Sequence, residues 1–277
     1  MTTFQAIVFA IIDGISEFLP ISSKAHHVLV PYLVGWQQPT GALLGALTLG
    51  SFMALLIYFR HDWASMISST LQVIIFRKRP MTMDERLPLF IAVTSVPVLF
   101  GSYYLRNWVG ELDWNPAVIA GILAAVGIPL WFFDYWSRKS KSIYDMNWVH
   151  AGIIGTVQAF SLLPGVDMLT CVLIGAFFCN YRREAALKYA YFTAAPILLV
   201  RSIAELKGVS FSFSSPPMPD LSWLSFCTAV LVTTLVGLLT IGGFIKHVQR
   251  KGMVQYLGYR WLLASGVFAL YWFRGNT

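Results

Sequence analysis

Residues 13–27, Asp-Gly-Ile-Ser-Glu-Phe-Leu-Pro-Ile-Ser-Ser-Lys-Ala-His-His, constrain this chain more than any other stretch. They hold two carboxylates, one ammonium and two imidazoles, yet apolar runs flank them, Phe4 to Ile12 before and Val28 to Val34 after. Ionisable side chains are expensive in such a setting, and a membrane segment that keeps them is a functional-site candidate. Asp13 and Glu17, four apart, share one helical face. Pro20 then stops the helix and frees backbone groups, which hydrocarbon tolerates only where the break is buried in protein or lines a wet cavity. A polar cluster on a helix break therefore reads as a pocket.

Composition fixes the class. The 277 residues are 57% hydrophobic and 12% charged, whereas about a quarter of a soluble domain is charged. The chain is expected to be an integral membrane protein and a single membrane domain over residues 1–277. Its apolar runs are continuous rather than alternating, which favours a helical bundle over a barrel. Met1 to Ile12 lacks a basic n-region and no small-residue cleavage site follows, so no cleavable signal is expected. The net charge of +7 is read as topology, because Lys and Arg gather in cytoplasmic loops. No basic, aromatic-interleaved surface calls for nucleic acid. Cys171, Cys179 and Cys227 lie in apolar segments without metal-ligand spacing and are expected to be buried, reduced thiols.

Basic clusters at Arg60, at Arg77 to Arg79, at Arg138 to Lys141, at Arg182 and Arg183, and at Lys246 to Lys251 set the topology. With the positive-inside rule they predict six spans and two re-entrant helix pairs, residues 1–36 entering from outside and 148–181 from the cytoplasm. Asp62 to Phe76 is amphipathic and is expected along the cytoplasmic face. The loops at 106–116 and 209–220, poor in Lys and Arg, are expected outside. Breaks at Pro20 and Pro164 sit at similar places in two halves, about 1–136 and 148–277. The fold expected is thus an all-α polytopic protein arranged as an inverted-topology repeat, whose broken helices build a site between them. Gly50, Gly121, Gly152 and Gly242 are expected to be close helix-packing points.

The opening motif closely resembles Glu-Gly-x-Thr-Glu-Phe-Leu-Pro-Val-Ser-Ser-x-Gly-His of the undecaprenyl-pyrophosphate phosphatases, the bacitracin-resistance proteins of bacterial inner membranes. Phe18, Leu19, Pro20, Ser22, Ser23 and His26 match outright. Asp13, Ser16 and Ile21 are conservative replacements. Similarity continues at Leu49-Gly50-Ser51, Leu163-Pro164-Gly165, Pro196 and Tyr259-Arg260. The resemblance implies removal of one phosphate from a diphosphorylated polyprenyl carrier at the periplasmic face, supported by a divalent cation, as part of carrier recycling for cell-wall synthesis. It also implies six spans plus two re-entrant pairs.

The second motif departs from the family. It is similar to Pro-Gly-x-Ser-Arg-Ser-Gly-x-Thr, but Asp167 replaces a serine, Met168 the arginine and Val172 the threonine. Thr48 and Leu44 replace the Gln and Glu usual near the first long span, while Lys24 and His27 are additions. A bidentate guanidinium suits a diphosphate, and Lys24 is the only Lys or Arg in either break motif.

Phosphoryl transfer needs a nucleophile, charge neutralisation and proton movement. Ser23 or His26 is assigned as nucleophile or activating base. Asp13 and Glu17 are assigned as acid/base groups or as ligands to Mg²⁺ or Ca²⁺, which take oxygen ligands. Lys24, with the N-terminus of the helix after Pro20, forms an anion cradle. Ser22, His27 and Asp167 complete the substrate-binding set. Ser22 and Asp167 equally suit helix caps, and His27 suits snorkelling to the interface. Three functions stay open: a lipid-diphosphate phosphatase, a non-hydrolytic polyprenyl-phosphate transporter or flippase, and a catalytically impaired lipid-phosphate-binding paralogue.

Overall fold

The structure, a computed structural model, describes residues 1–104, 114–207 and 221–274. The expected outer loops at 106–116 and 209–220 lie outside the described residues but for 114–116. Among the described residues there are eleven α-helices and no strand: α1 (Thr3–Ser16), α2 (Ser23–Val34), α3 (Gly41–Tyr58), α4 (Arg60–Ile75), α5 (Met83–Tyr104), α6 (Pro116–Trp136), α7 (Trp148–Ala159), α8 (Met168–Phe178), α9 (Arg183–Leu206), α10 (Trp223–Arg250) and α11 (Val254–Arg274). Helices α3, α5, α6 and α10 are long and apolar enough to cross a membrane, as expected of a polytopic protein. Helices α9 and α11 have the length, but α9 carries five charged residues and α11 the buried Arg260. Helix α4 leaves Ile67, Leu71, Ile74 and Ile75 exposed on an element whose only buried residue is Met66.

Both Pro breaks are present. Helix α1 gives way at Glu17, and the chain turns through Pro20 to Ser22, whose φ of 70° is unusual for a residue with a Cβ. Ser22 nevertheless caps α2, its Oγ accepting from the Ala25 N–H at 3.3 Å. The second break runs from α7 through a 3₁₀ turn, Phe160–Leu162, to Pro164 and Gly165, and Asp167 caps α8. Gly165 sits at φ +87°, where an added Cβ would stand 2.9 Å from the Ile119 carbonyl oxygen.

The packing of the two breaks is related. Helix α1 lies on α10 and α7 lies on α5. In each case a glycine in the helix before the break permits the approach. A Cβ on Gly14 would meet Val236 at 2.9 Å, and one on Gly155 would meet the Thr94 carbonyl oxygen at 2.8 Å. Of the four glycines expected as packing points, Gly50 lies tight on α10, where an added Cβ would stand 2.7 Å from the Val230 carbonyl oxygen, whereas at Gly121, Gly152 and Gly242 it would make at most ordinary contact. The expectation that they are close approaches is corrected: their helices lie against side chains or open space. The cysteine expectation holds for Cys171 and Cys179, but Cys227 is exposed.

At the Arg183 end of α9, Asp134 of α6 ties three elements together. Arg183 donates Nε and Nη2 to its two oxygens at 2.6 and 2.9 Å, and the Met253 N–H, just before α11, donates to Oδ2 at 3.1 Å. The main core runs alongside, with Phe59, Phe177, Tyr189, Tyr191 and Phe192 all buried.

Candidate active site

The tips of the two breaks meet. Lys24, in the first turn of α2, donates from Nζ to the carbonyl oxygen of Ser161 at 2.7 Å. Ser161 stands three residues before Pro164, as Glu17 stands three before Pro20. From α11, the fully buried Arg260 reaches both tips. Its Nε donates to the Pro20 carbonyl at 2.8 Å, Nη1 to the Leu123 carbonyl at 3.3 Å, and Nη2 to Asp167 Oδ2 at 2.5 Å and Thr170 Oγ1 at 2.6 Å. A buried guanidinium is tolerated where its donors are used and its charge is matched, and here both conditions are met.

Beside this junction lies a cavity of about 720 Å³. Its polar wall is made by Glu17, Ser23, Lys24, Ser161, Arg201 and Glu205. Apolar walls come from Val98, Leu99, Leu162, Ile197, Leu198 and Val200 of α5, the second break and α9, with Met168 at the cavity edge too. Ser23 Oγ donates a hydrogen bond to Glu17 Oε2. A hydroxyl held on a carboxylate is the arrangement that nucleophilic catalysis uses, and Lys24 stands one residue further along.

Four of the expected site residues lie elsewhere. His26 is buried, with Nδ1 2.7 Å from the Ser22 carbonyl and Nε2 2.7 Å from the Tyr259 hydroxyl, and its ring stacks on Tyr259. Facing a carbonyl, Nδ1 carries the hydrogen, so neutral Nε2 accepts from Tyr259. Both nitrogens are engaged within the protein, and neither contacts Ser23. Asp13 accepts from Ser51 Oγ at Oδ2, 3.0 Å, and His27 Nε2 stands 3.0 Å from its Oδ1. His27 thus faces inward, its Nε2 beside the buried Asp13 carboxylate, and does not snorkel. Ser22 is a cap. Asp167 borders the cavity, but its carboxylate is used by the α8 cap, with the Thr170 N–H at 2.6 Å, and by Arg260.

The divalent-ion option is tested by the same contacts. Both oxygens of Asp13 are occupied by Ser51 and His27, and Asp13 does not line the cavity, whereas Glu17 does. The two carboxylates therefore do not fit a shared ion. Among the described residues no group of three His, Cys, Asp or Glu side chains is gathered for one.

The sequence reading also missed two residues. Arg201 and Glu205 of α9 face each other across one helical turn, Arg201 Nε donating to Glu205 Oε1 at 2.8 Å. Thr48 Oγ1 of α3 donates to Glu205 Oε2 at 2.9 Å. Their signal was present, an arginine and a glutamate closing an apolar run that begins at Pro196. Ionisable groups at the end of a span read first as interfacial flanks.

Comparison with known proteins identifies the family. The family model described as bacitracin resistance protein BacA matches residues 6–266. A protein of Moorella thermoacetica named undecaprenyl-diphosphatase is 30% identical over 275 residues, covering 99% of this chain and 100% of its own length. A protein of the same name from Caldicellulosiruptor bescii is 32% identical over 279 residues, covering 99% of each. A third, from Magnetococcus marinus, is 30% identical over 274 residues, covering 97% of this chain and 99% of its own. With one family matched along nearly the whole chain, and with relatives of this identity matched end to end, the chain belongs to the bacitracin resistance protein BacA family.

Proposed function

We propose that this protein is a membrane phosphatase that removes the terminal phosphate of undecaprenyl diphosphate, recycling the lipid carrier for cell-wall synthesis. One observation carries the reading: the Ser23 hydroxyl rests on the Glu17 carboxylate in a cavity that has cations on one wall and apolar side chains on the others. Such a cavity suits a lipid with an anionic head. The polar wall receives the diphosphate, and the gap between α5 and α9 receives the first isoprene units.

In the reaction, Ser23 Oγ attacks the distal phosphorus and its proton passes to Glu17. The bond from that phosphorus to the bridging oxygen breaks, and the electron pair leaves on polyprenyl phosphate. The proton on Glu17 passes to that leaving phosphate, which restores the carboxylate. Water, deprotonated there, attacks the phosphoserine, the bond from phosphorus to Ser23 Oγ breaks, Oγ takes the proton back from Glu17 and inorganic phosphate leaves. Lys24 and the N-terminal N–H groups of α2 neutralise the non-bridging oxygens. Asp13, Ser22, His26, His27 and Asp167 act as positioning residues, fixing the two breaks around this centre.

The proposed setting is the bacterial inner membrane, with a single membrane domain over residues 1–277 built as an inverted repeat of six spans and two re-entrant pairs. The matched packing of α1 on α10 and α7 on α5 supports the repeat. So does the gathering of Asp62, Tyr144 and Lys188 at one end of the bundle, near the basic loops. The cavity lies towards the Leu206 end of α9, away from its basic Arg183 end, which supports a site that faces the periplasm.

The test is phosphate release from the purified protein in detergent with polyprenyl diphosphate. General acid/base groups contribute about 10² to 10⁴ in rate, so Ser23→Ala and Glu17→Gln should each lower kcat at least about a hundredfold. Lipid diphosphate that binds to the wild type without phosphate release refutes the reading in favour of transport or binding.

A further inference from the structure

We infer that Arg201 is the diphosphate clamp of this enzyme, brought to the cavity by α9 rather than by either Pro break. The inference rests on the phosphatase reading above and adds the residue that recognises two linked phosphates rather than one.

Three observations lead to it. First, Arg201 lines the same cavity as Glu17, Ser23 and Lys24, and its side chain is 24% exposed, against 0% for Arg260. Of the two guanidiniums close to this junction, only Arg201 borders the cavity. Second, it is held by one edge. Nε donates to Glu205 Oε1, and Glu205 is in turn fixed by Thr48 from α3, so both carboxylate oxygens are spent on keeping the guanidinium in place. Third, no protein acceptor is found for Nη1 or Nη2 among the described residues. A planar fork with its terminal nitrogens unused matches two oxygens of a phosphate or diphosphate bidentately. The other cation, Lys24, already donates to the Ser161 carbonyl and acts as a point charge. The break motif contributes no guanidinium here, since the cavity-edge residue is Met168.

The alternative is that Arg201 is only an intrahelical partner for Glu205. The two roles differ in what they predict for ligands. A clamp on linked phosphates discriminates diphosphate from monophosphate, whereas a helix-stabilising pair changes the melting temperature and leaves that discrimination alone. A charge-assisted contact of the usual strength amounts to a factor of roughly 10 to 100.

The experiment measures hydrolysis of polyprenyl diphosphate and binding of a prenyl methylenediphosphonate, which has no cleavable bridge oxygen. Wild type, Arg201→Gln, Arg201→Lys and the double variant Arg201→Gln/Met168→Arg are compared, with melting curves to confirm folding. The clamp predicts that Arg201→Gln weakens methylenediphosphonate binding about 10- to 100-fold while prenyl monophosphate binding changes far less. Arg201→Lys should recover only part of the loss, because the fork is gone. The double variant should recover more, because it returns a guanidinium to the cavity edge. If wild type hydrolyses the substrate and folded Arg201→Gln or Arg201→Lys binds the methylenediphosphonate as tightly as wild type, the clamp assignment fails while the phosphatase stands. Equal losses for the mono- and diphosphorylated ligands also overturn it. A wild type that neither hydrolyses nor binds overturns both.

Discussion

Replacing Arg260 by Gln tests whether the two Pro breaks are held as one unit. The side chain is 0% exposed and makes four hydrogen bonds, to the carbonyls of Pro20 and Leu123 and to the side chains of Asp167 and Thr170. Glutamine is too short to reach all of them, and it leaves Asp167 without its counter-charge. Breaking a buried ion pair by removing one partner costs about 3–5 kcal/mol. At roughly 2–4 °C per kcal/mol, the sensitivity of soluble chains of comparable size, the melting temperature should fall by about 6–20 °C. The diagnostic variant is Arg260→Gln/Asp167→Asn. Asparagine still caps α8 but carries no charge, so the uncompensated ion disappears with its partner. If the pair is the source of the cost, the double variant should be more stable than the sum of the single changes by about 1–3 kcal/mol. The assay is intrinsic-fluorescence melting of the purified protein in one detergent, with all four variants of the cycle compared. Strict additivity, or a single-variant loss below about 1 kcal/mol, would refute the claim that Arg260 couples the breaks through Asp167.

Tyr259→Phe removes the hydroxyl from His26 Nε2 while keeping the stacked ring. With His26 as a positioning residue, kcat should fall by about 2- to 10-fold, the worth of one neutral hydrogen bond, and phosphate release measures it. A loss of a thousandfold would return His26 to the chemistry. For topology, single cysteines introduced at positions 38 and 78 of an otherwise cysteine-free chain should label from opposite faces of the membrane. Labelling from one face sinks the inverted repeat.

Much of this protein is determined by sequence alone, for reasons of period and solvent. Apolar runs long enough to cross a bilayer specify helices wherever the chain meets hydrocarbon, since only a helix satisfies its own backbone there. Pro20 and Pro164 break those helices because proline lacks the N–H and clashes with the preceding turn. Accordingly α3, α6 and both broken pairs are found within a few residues of where the pattern places them. That Glu17 and Ser23 line a cavity was legible for the same reason: a carboxylate and a hydroxyl beside a helix break need a polar pocket in such a segment.

Tertiary structure alone decides which members of the motif face the cavity. Asp13 and Glu17 share a helical face, but α1 ends at Glu17, so one carboxylate turns into the cavity and the other is closed off by Ser51 and His27. Helical spacing cannot express that division, which depends on α3 and α2 arriving from elsewhere in the chain. The same holds for charge. Asp167 reads as a substrate-binding residue or a helix cap until Arg260, 93 residues away, is packed against it, and Arg201 reads as the flank of a span until Thr48, through Glu205, fixes it at the cavity. Electrostatic partners in a low-dielectric interior are chosen by proximity in space, and proximity across so many residues exists only once the helices have packed.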